Sequence, residues 1–85
     1  MKTILYSKQA LKFLEKITIA EAYRIVNKVE QYVKNPSEFK NQVKELKGSP
    51  FYRLRVGNYR VVFDENGTIL NIIKIDNRGN VYKEL

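Results

Sequence analysis

The 85-residue sequence contains no cysteine and no histidine. Without cysteine there is neither a disulfide nor a thiolate metal site, so packing alone must hold so small a domain. Without histidine a serine–histidine triad is excluded. The scattered carboxylates show no metal-ligand spacing, and no glycine-rich phosphate loop is present. No apolar run approaches the roughly 20 residues of a membrane span. The opening MKTILYSKQA also lacks the apolar stretch of a signal peptide. These absences point to a cytoplasmic protein that needs neither metal nor cofactor. Any chemistry must use Lys, Arg, Tyr and Glu.

What is present is ordinary in bulk: hydrophobic residues are 44% of the chain and charged residues 29%. That balance fits a soluble globular chain, and the length fits one domain, residues 1–85, with a single small core. The charge is less ordinary. Sixteen Lys and Arg face nine Asp and Glu, a net charge of +7. Between Lys40 and Arg60 the cations Lys40, Lys44, Lys47, Arg53, Arg55 and Arg60 meet one carboxylate, Glu45. Such a patch attracts polyanions, whether nucleic acid or an acidic protein. Surface lysines that serve only solubility are the plainer alternative.

Residues 2–6 read as a short strand. Ser7 reads as a helix N-cap, followed by Ala10, Leu11, Leu14 and Ile17 at helical spacing. Thr18 and Glu21 fit a capping box, so a second helix should start at once, burying Ala22, Ile25, Val26, Val29 and Val33. Asn35-Pro36 stops it. From Val43 the apolar period becomes two. Residues 51–56 and 59–63 read as strands around a tight Gly57-Asn58 turn, and Asn66-Gly67 predicts a type I′ hairpin with a return strand over 68–75. Residues 76–80 read as a polar turn before Val81-Tyr82. The expected fold class is α+β: β-α-α-β-β-β, a small antiparallel sheet with a helical hairpin on one face.

Strand alternation then sets Arg53 and Arg55 opposite to Tyr52, Leu54 and Val56, and sets Arg60 opposite to Tyr59, Val61 and Phe63. The helices can cover only one side, which the apolar set claims. Arg55 and Arg60 become cross-strand neighbours, and like charges so placed repel unless an anion offsets them. Arginine offers forked donors that match phosphate. The competing reading is a solvated face neutralised by carboxylates such as Glu45 or Asp64. At the chain's end, Arg78 and Tyr82 form a further pair. Tyr82 either stacks on an unpaired base or fills the core.

The run LKGSPFYRLRVGNYRVVF, residues 46–63, and the distal NRGNVY, residues 77–82, resemble the RelE/ParE superfamily of bacterial toxins, as do the order and lengths of the preceding helices. In the RelE branch the resemblance implies a ribosome-dependent, metal-free endoribonuclease that cuts messenger RNA in the decoding site by 2′-hydroxyl attack. It implies transition-state charge stabilisation by Arg53, Arg55 and Arg60, a donor or phosphate clamp at Arg78, and a stacking platform at Tyr82. Some members have lysines where Arg53 and Arg55 stand. Arginine is a poor general base, which leaves Glu45 and Lys47 as candidates, with Glu45 preferred. Lys40, Lys44 and Lys47 would bind RNA. The ParE branch instead implies a DNA gyrase inhibitor without nuclease activity, and an inactive RNA-binding module is a third reading. Expected partners are a cognate acidic antitoxin, the ribosome and mRNA, with no membrane.

Overall fold

A serine and a threonine set the entry of the two helices. In the computed structural model, which describes residues 2–77, β1 (Thr3–Tyr6) ends at Ser7, whose hydroxyl accepts from the Ala10 amide and starts α1 (Lys8–Lys16). Thr18 does the same for Glu21 and starts α2 (Ile19–Lys34). The Glu21 carboxylate accepts from the Tyr59 hydroxyl at 3.5 Å and lies 3.6 Å from Arg24. At the far end Pro36 cannot extend α2 and opens a 3-10 turn, Pro36–Phe39, which the sequence reading did not contain. That turn buries Phe39.

Five strands form one sheet in the order β1-β5-β4-β3-β2, with β2 at Val43–Glu45, β3 at Tyr52–Val56, β4 at Tyr59–Asn66 and β5 at Ile69–Asn77. The α+β class and the helical layer agree with expectation. The sheet is mixed, however, because β1 pairs with β5 in parallel. It also contains β2, a three-residue edge strand that lies too close to a break to read as a separate element.

The two tight β-hairpins, β3–β4 and β4–β5, turn on glycine. Val56 pairs with Tyr59 and Asn66 with Ile69, so the two-residue loops are Gly57-Asn58 and Gly67-Thr68. Gly57 has φ 57° and Gly67 has φ 63°, and no described non-glycine residue has positive φ. The second hairpin is therefore not the expected type I′ turn. A glycine with positive φ first, followed by a residue with negative φ, is the type II′ pattern, which also suits the twist of a hairpin.

The core lies between the helices and one face of the sheet. α2 contributes Ile25, Val29 and Tyr32, β3 contributes Leu54 and Val56, and β4 contributes Tyr59, Val61 and Phe63. Tyr32 escaped the sequence reading, which placed Val33 in the stripe. Its ring is tilted over Phe63 at 5.4 Å while its hydroxyl reaches outward to Glu65. Tyr59 meets Phe13 edge-on at 5.8 Å, and Tyr52 stacks on Phe63, so both are core rings as expected.

Two of these tyrosines predict an alkaline limit. The Tyr6 hydroxyl is buried with no partner among the described residues, and burial, aided by the charge of Glu30, pushes its pKa up to about 12. Burial and the bond to Glu65 raise Tyr32 as well. A folded pKa above the unfolded value of about 10 means that the unfolded chain loses its protons first. The tyrosine contribution to stability is thus intact below pH ~10 and is lost as pH rises through the folded values. The urea midpoint should be insensitive to these groups up to pH ~10 and fall above it, before Tyr6 absorbs as tyrosinate in the folded protein. Early ionisation of all tyrosines in the folded state would contradict this.

Candidate nucleic-acid interface

An irregularity in β5 builds the face that carries the arginines. Leu70 and Ile72 point into the core, so strict alternation would send Lys74 and Asp76 inward as well. The register instead steps between Val62 and Phe63: Val62 pairs with Lys74, whereas Phe63 pairs with Ile72. Ile73 is the extra residue, and after it Ile75 points inward at 0% exposure. Lys74 and Asp76 thereby fall on the face away from the helices.

α1 holds this bulge in place. The Ser7 hydroxyl donates to the Ile73 carbonyl at 2.6 Å, and the Ser7 amide donates to the Ile72 carbonyl at 2.9 Å. The Gln9 side chain both accepts from the Ile75 amide at 3.0 Å and donates to its carbonyl at 3.2 Å. These bonds satisfy β5 beyond Tyr6, where β1 ends.

Two cross-strand rows result. In one, Lys44, Arg53, Val62 and Lys74 are successive partners; in the other, Arg55, Arg60 and Asp76 are. The expected alternation is met: Leu54 and Val56 are buried, and Arg53, Arg55 and Arg60 belong to the opposite side. Their surroundings differ. Arg53 donates to the Gln42 carbonyl at 3.2 Å. Arg60 forms a two-pronged bond with Asp76, Nε to Oδ1 at 3.2 Å and Nη2 to Oδ2 at 3.1 Å, and Lys74 lies 3.6 Å from the same carboxylate. Arg55 makes no ion pair with any described residue and lines two adjoining cavities at the sheet edge.

Among the described residues the carboxylate that binds Arg60 is therefore Asp76, not Glu45 or Asp64. Asp64 accepts from Asn71 instead. Asp76 was missed because residues 76–80 read as a turn, and because alternation without a bulge would turn it inward. The same oversight concealed Lys74. Glu45 also departs from expectation. Its partner is Tyr52, a core ring, while Lys44 pairs with Arg53. Cross-strand partners share a face, so Glu45 is turned to the helix side, away from the arginines. A carboxylate base beside them is not found in Glu45. Lys40 and Lys47 are exposed, beyond the 3-10 turn and in the loop after β2 respectively. Arg78 and Tyr82 lie outside the described residues. Among the described residues no group of His, Cys, Asp or Glu could hold a metal ion, and no helix is long and apolar enough to cross a membrane.

No curated protein sequence matches this chain. Among solved structures, a chain of the archaeal RelE–RelB complex from Pyrococcus horikoshii is similar with TM-score 0.76 and 26% identity, covering 92% of this chain and 96% of that one. A chain of the RelB–RelE antitoxin–toxin complex from Methanococcus jannaschii gives TM-score 0.73 and 26% identity, covering 95% and 98%. The isolated E. coli RelE toxin shares the fold, with TM-score 0.73 at 20% identity, covering 99% and 94%. A family model described as "ParE toxin of type II toxin-antitoxin system, parDE" matches residues 4–82. With the RelE fold, the arginine-bearing sheet and a family match over nearly its whole length, this chain belongs to the ParE toxin family of type II toxin–antitoxin systems, within the RelE/ParE superfamily.

Proposed function

We propose that this toxin is a ribosome-dependent endoribonuclease that cleaves messenger RNA in the decoding site without a metal ion. The observation that carries the reading is the Arg60–Asp76 pair on the sheet face opposite the helices. A guanidinium has five N–H donors, and Asp76 engages two of them. The remaining donors are held in a fixed direction, ready for phosphate oxygens. In the reaction a ribose 2′-oxygen bonds to the adjacent phosphorus as its proton leaves, and the bond to the 5′-oxygen breaks as that oxygen gains a proton. The products are a cyclic phosphate and a 5′-hydroxyl. Arg53, Arg55 and Arg60 stabilise the charge on the phosphorane oxygens, with Arg78 as donor or clamp and Tyr82 as stacking platform. On the arginine side the amines of Lys44 and Lys74 replace Glu45 as the nearest candidates for proton transfer. Lys40 and Lys47 extend the electrostatic footprint.

A translation assay of purified components tests this. Cleavage of the message inside stalled ribosomes is expected; intact message in the presence of folded protein removes the proposal, and loss of gyrase supercoiling activity in its place would support the gyrase-inhibitor alternative. Binding of RNA without turnover would mark an inactive module.

The toxin's partner is an acidic antitoxin. A groove of about 300 Å³ between α1 and α2, lined by Leu14, Ile17, Ile19, Ala22, Tyr23 and Val26 with Glu15 as its one charged wall, offers it an apolar seat on the helix side of the sheet. Ile19 and Tyr23 are 77% and 66% exposed.

A further inference from the structure

Around the edge of the sheet from Arg60, three cations converge on one cavity. Its volume is about 230 Å³, and its walls include Arg24 and Lys28 of α2, Arg55 of β3, Phe39, Gln42 and Gly57. No carboxylate is among its described lining residues. Outside it, Glu21 lies 3.6 Å from Arg24 and also accepts from Tyr59. Each cation is placed there by a different device. Gly57 leaves room for Arg24, because a Cβ at that position would stand 2.8 Å from its Nη2. The Phe39 ring holds the Lys28 ammonium, 5.9 Å from its centroid. Arg55 comes from the strand itself, as the cross-strand partner of Arg60.

We propose that Arg24, Lys28 and Arg55 form a phosphate-binding subsite at the sheet edge, which holds one backbone phosphate of an RNA strand as it leaves the arginine face. This rests on the RNA reading above. Three cations against one nearby carboxylate, Glu21, leave a net positive charge, and a tetrahedral dianion or phosphodiester that accepts from several of them offsets their mutual repulsion. The cavity adjoins a second one of about 400 Å³, lined by Asn41, Gln42, Arg55 and Gly57, where the Arg55 guanidinium and the Asn41 and Gln42 side-chain amides can donate. Such walls suit a phosphate more than the apolar side chains of a protein segment. Arg55 belongs to both regions, so one strand of RNA can pass from Arg60 to Arg24 without crossing uncharged surface.

The test uses the full-length protein in two measurements. Inorganic phosphate is titrated into 15N-labelled protein while the Gly57 and Gln42 amides and the Arg24 and Arg55 Nε resonances are followed. A single-stranded oligouridylate is titrated by fluorescence anisotropy over a salt series. Saturable shifts at Gly57 are expected, weakened several-fold in Arg24→Gln and in Lys28→Gln. The slope of log affinity against log salt should shrink by about 0.7 in each variant, the loss of one single-strand phosphate contact. Both side chains are exposed, so the variants should retain their melting temperature. Unchanged shifts and an unchanged slope in both variants would overturn the subsite while leaving RNA binding elsewhere intact. Saturable phosphate shifts without any oligouridylate binding would overturn the RNA assignment. Displacement of phosphate by oligoglutamate at lower concentration than by oligouridylate would also overturn it, in favour of an acidic protein.

Discussion

Arg60→Ala is expected to reduce cleavage of ribosome-bound message by about 10²–10³-fold, the scale for loss of one preorganised oxyanion donor. Charge builds on the nonbridging oxygens in the transition state, and a fixed guanidinium stabilises that charge more than it stabilises the ground state. The loss should therefore appear in the rate of cleavage on saturated ribosomes. Stability should fall much less, because Asp76 keeps Lys74 at 3.6 Å as a neighbour. Arg60→Lys restores the charge without the fork and should recover only part of the rate. Asp76→Asn separates positioning from attraction. It removes a negative charge from the face, so RNA should bind more tightly, yet it frees the guanidinium to wander, so cleavage should slow. Full activity in Arg60→Ala would show that the role belongs elsewhere on the sheet.

Phe63→Ala should fail in the opposite way, losing activity because the domain unfolds. Phe63 is 1% exposed, stacks on Tyr52 at 5.7 Å and meets Tyr32 at 5.4 Å. Truncating such a ring costs about 3–5 kcal/mol in transfer and cavity terms. A domain of this size has about 4–13 kcal/mol of total stability, so a large part would be lost. Urea denaturation followed by circular dichroism should show a strongly lowered midpoint. An unchanged midpoint would mean that the neighbouring rings close over the gap without cost. The bulge also lies beside this ring, since Phe63 pairs with Ile72 immediately before the extra residue.

Sequence alone reached what short-range chemistry determines. Ser7 and Thr18 announce their helices because a hydroxyl before an apolar period has one common use. Arg53 and Arg55 could be assigned to a face because Leu54 between them had to be buried. Alternation failed where the backbone inserts a residue: Ile72-Ile73 looks like a longer apolar run, and nothing local tells which of the two leaves the pleat. Tertiary pairing made that choice, through Ser7 and Gln9 of α1. The error carried forward to the site, hiding Lys74 and Asp76 and leaving Arg60 without its carboxylate. Glu45 was misassigned for a similar reason, since the phase of a three-residue strand is fixed only by its partner. Asn66-Gly67 signalled a hairpin correctly, but pairing of Asn66 with Ile69 moved the loop forward by one residue.

The parallel pairing of β1 with β5 has a consequence for synthesis. Thr3 finds its partner in Ile69, and β5 enters the sheet between the first strand made and the fourth. Closing so long a loop is slow, and its cost precedes any gain from the contacts. A nascent chain that has emerged only as far as β4 lacks both the strand bearing Asp76 and the mate of β1. The guanidinium of Arg60 therefore acquires its orientation only after β5 has been made and has paired with β4.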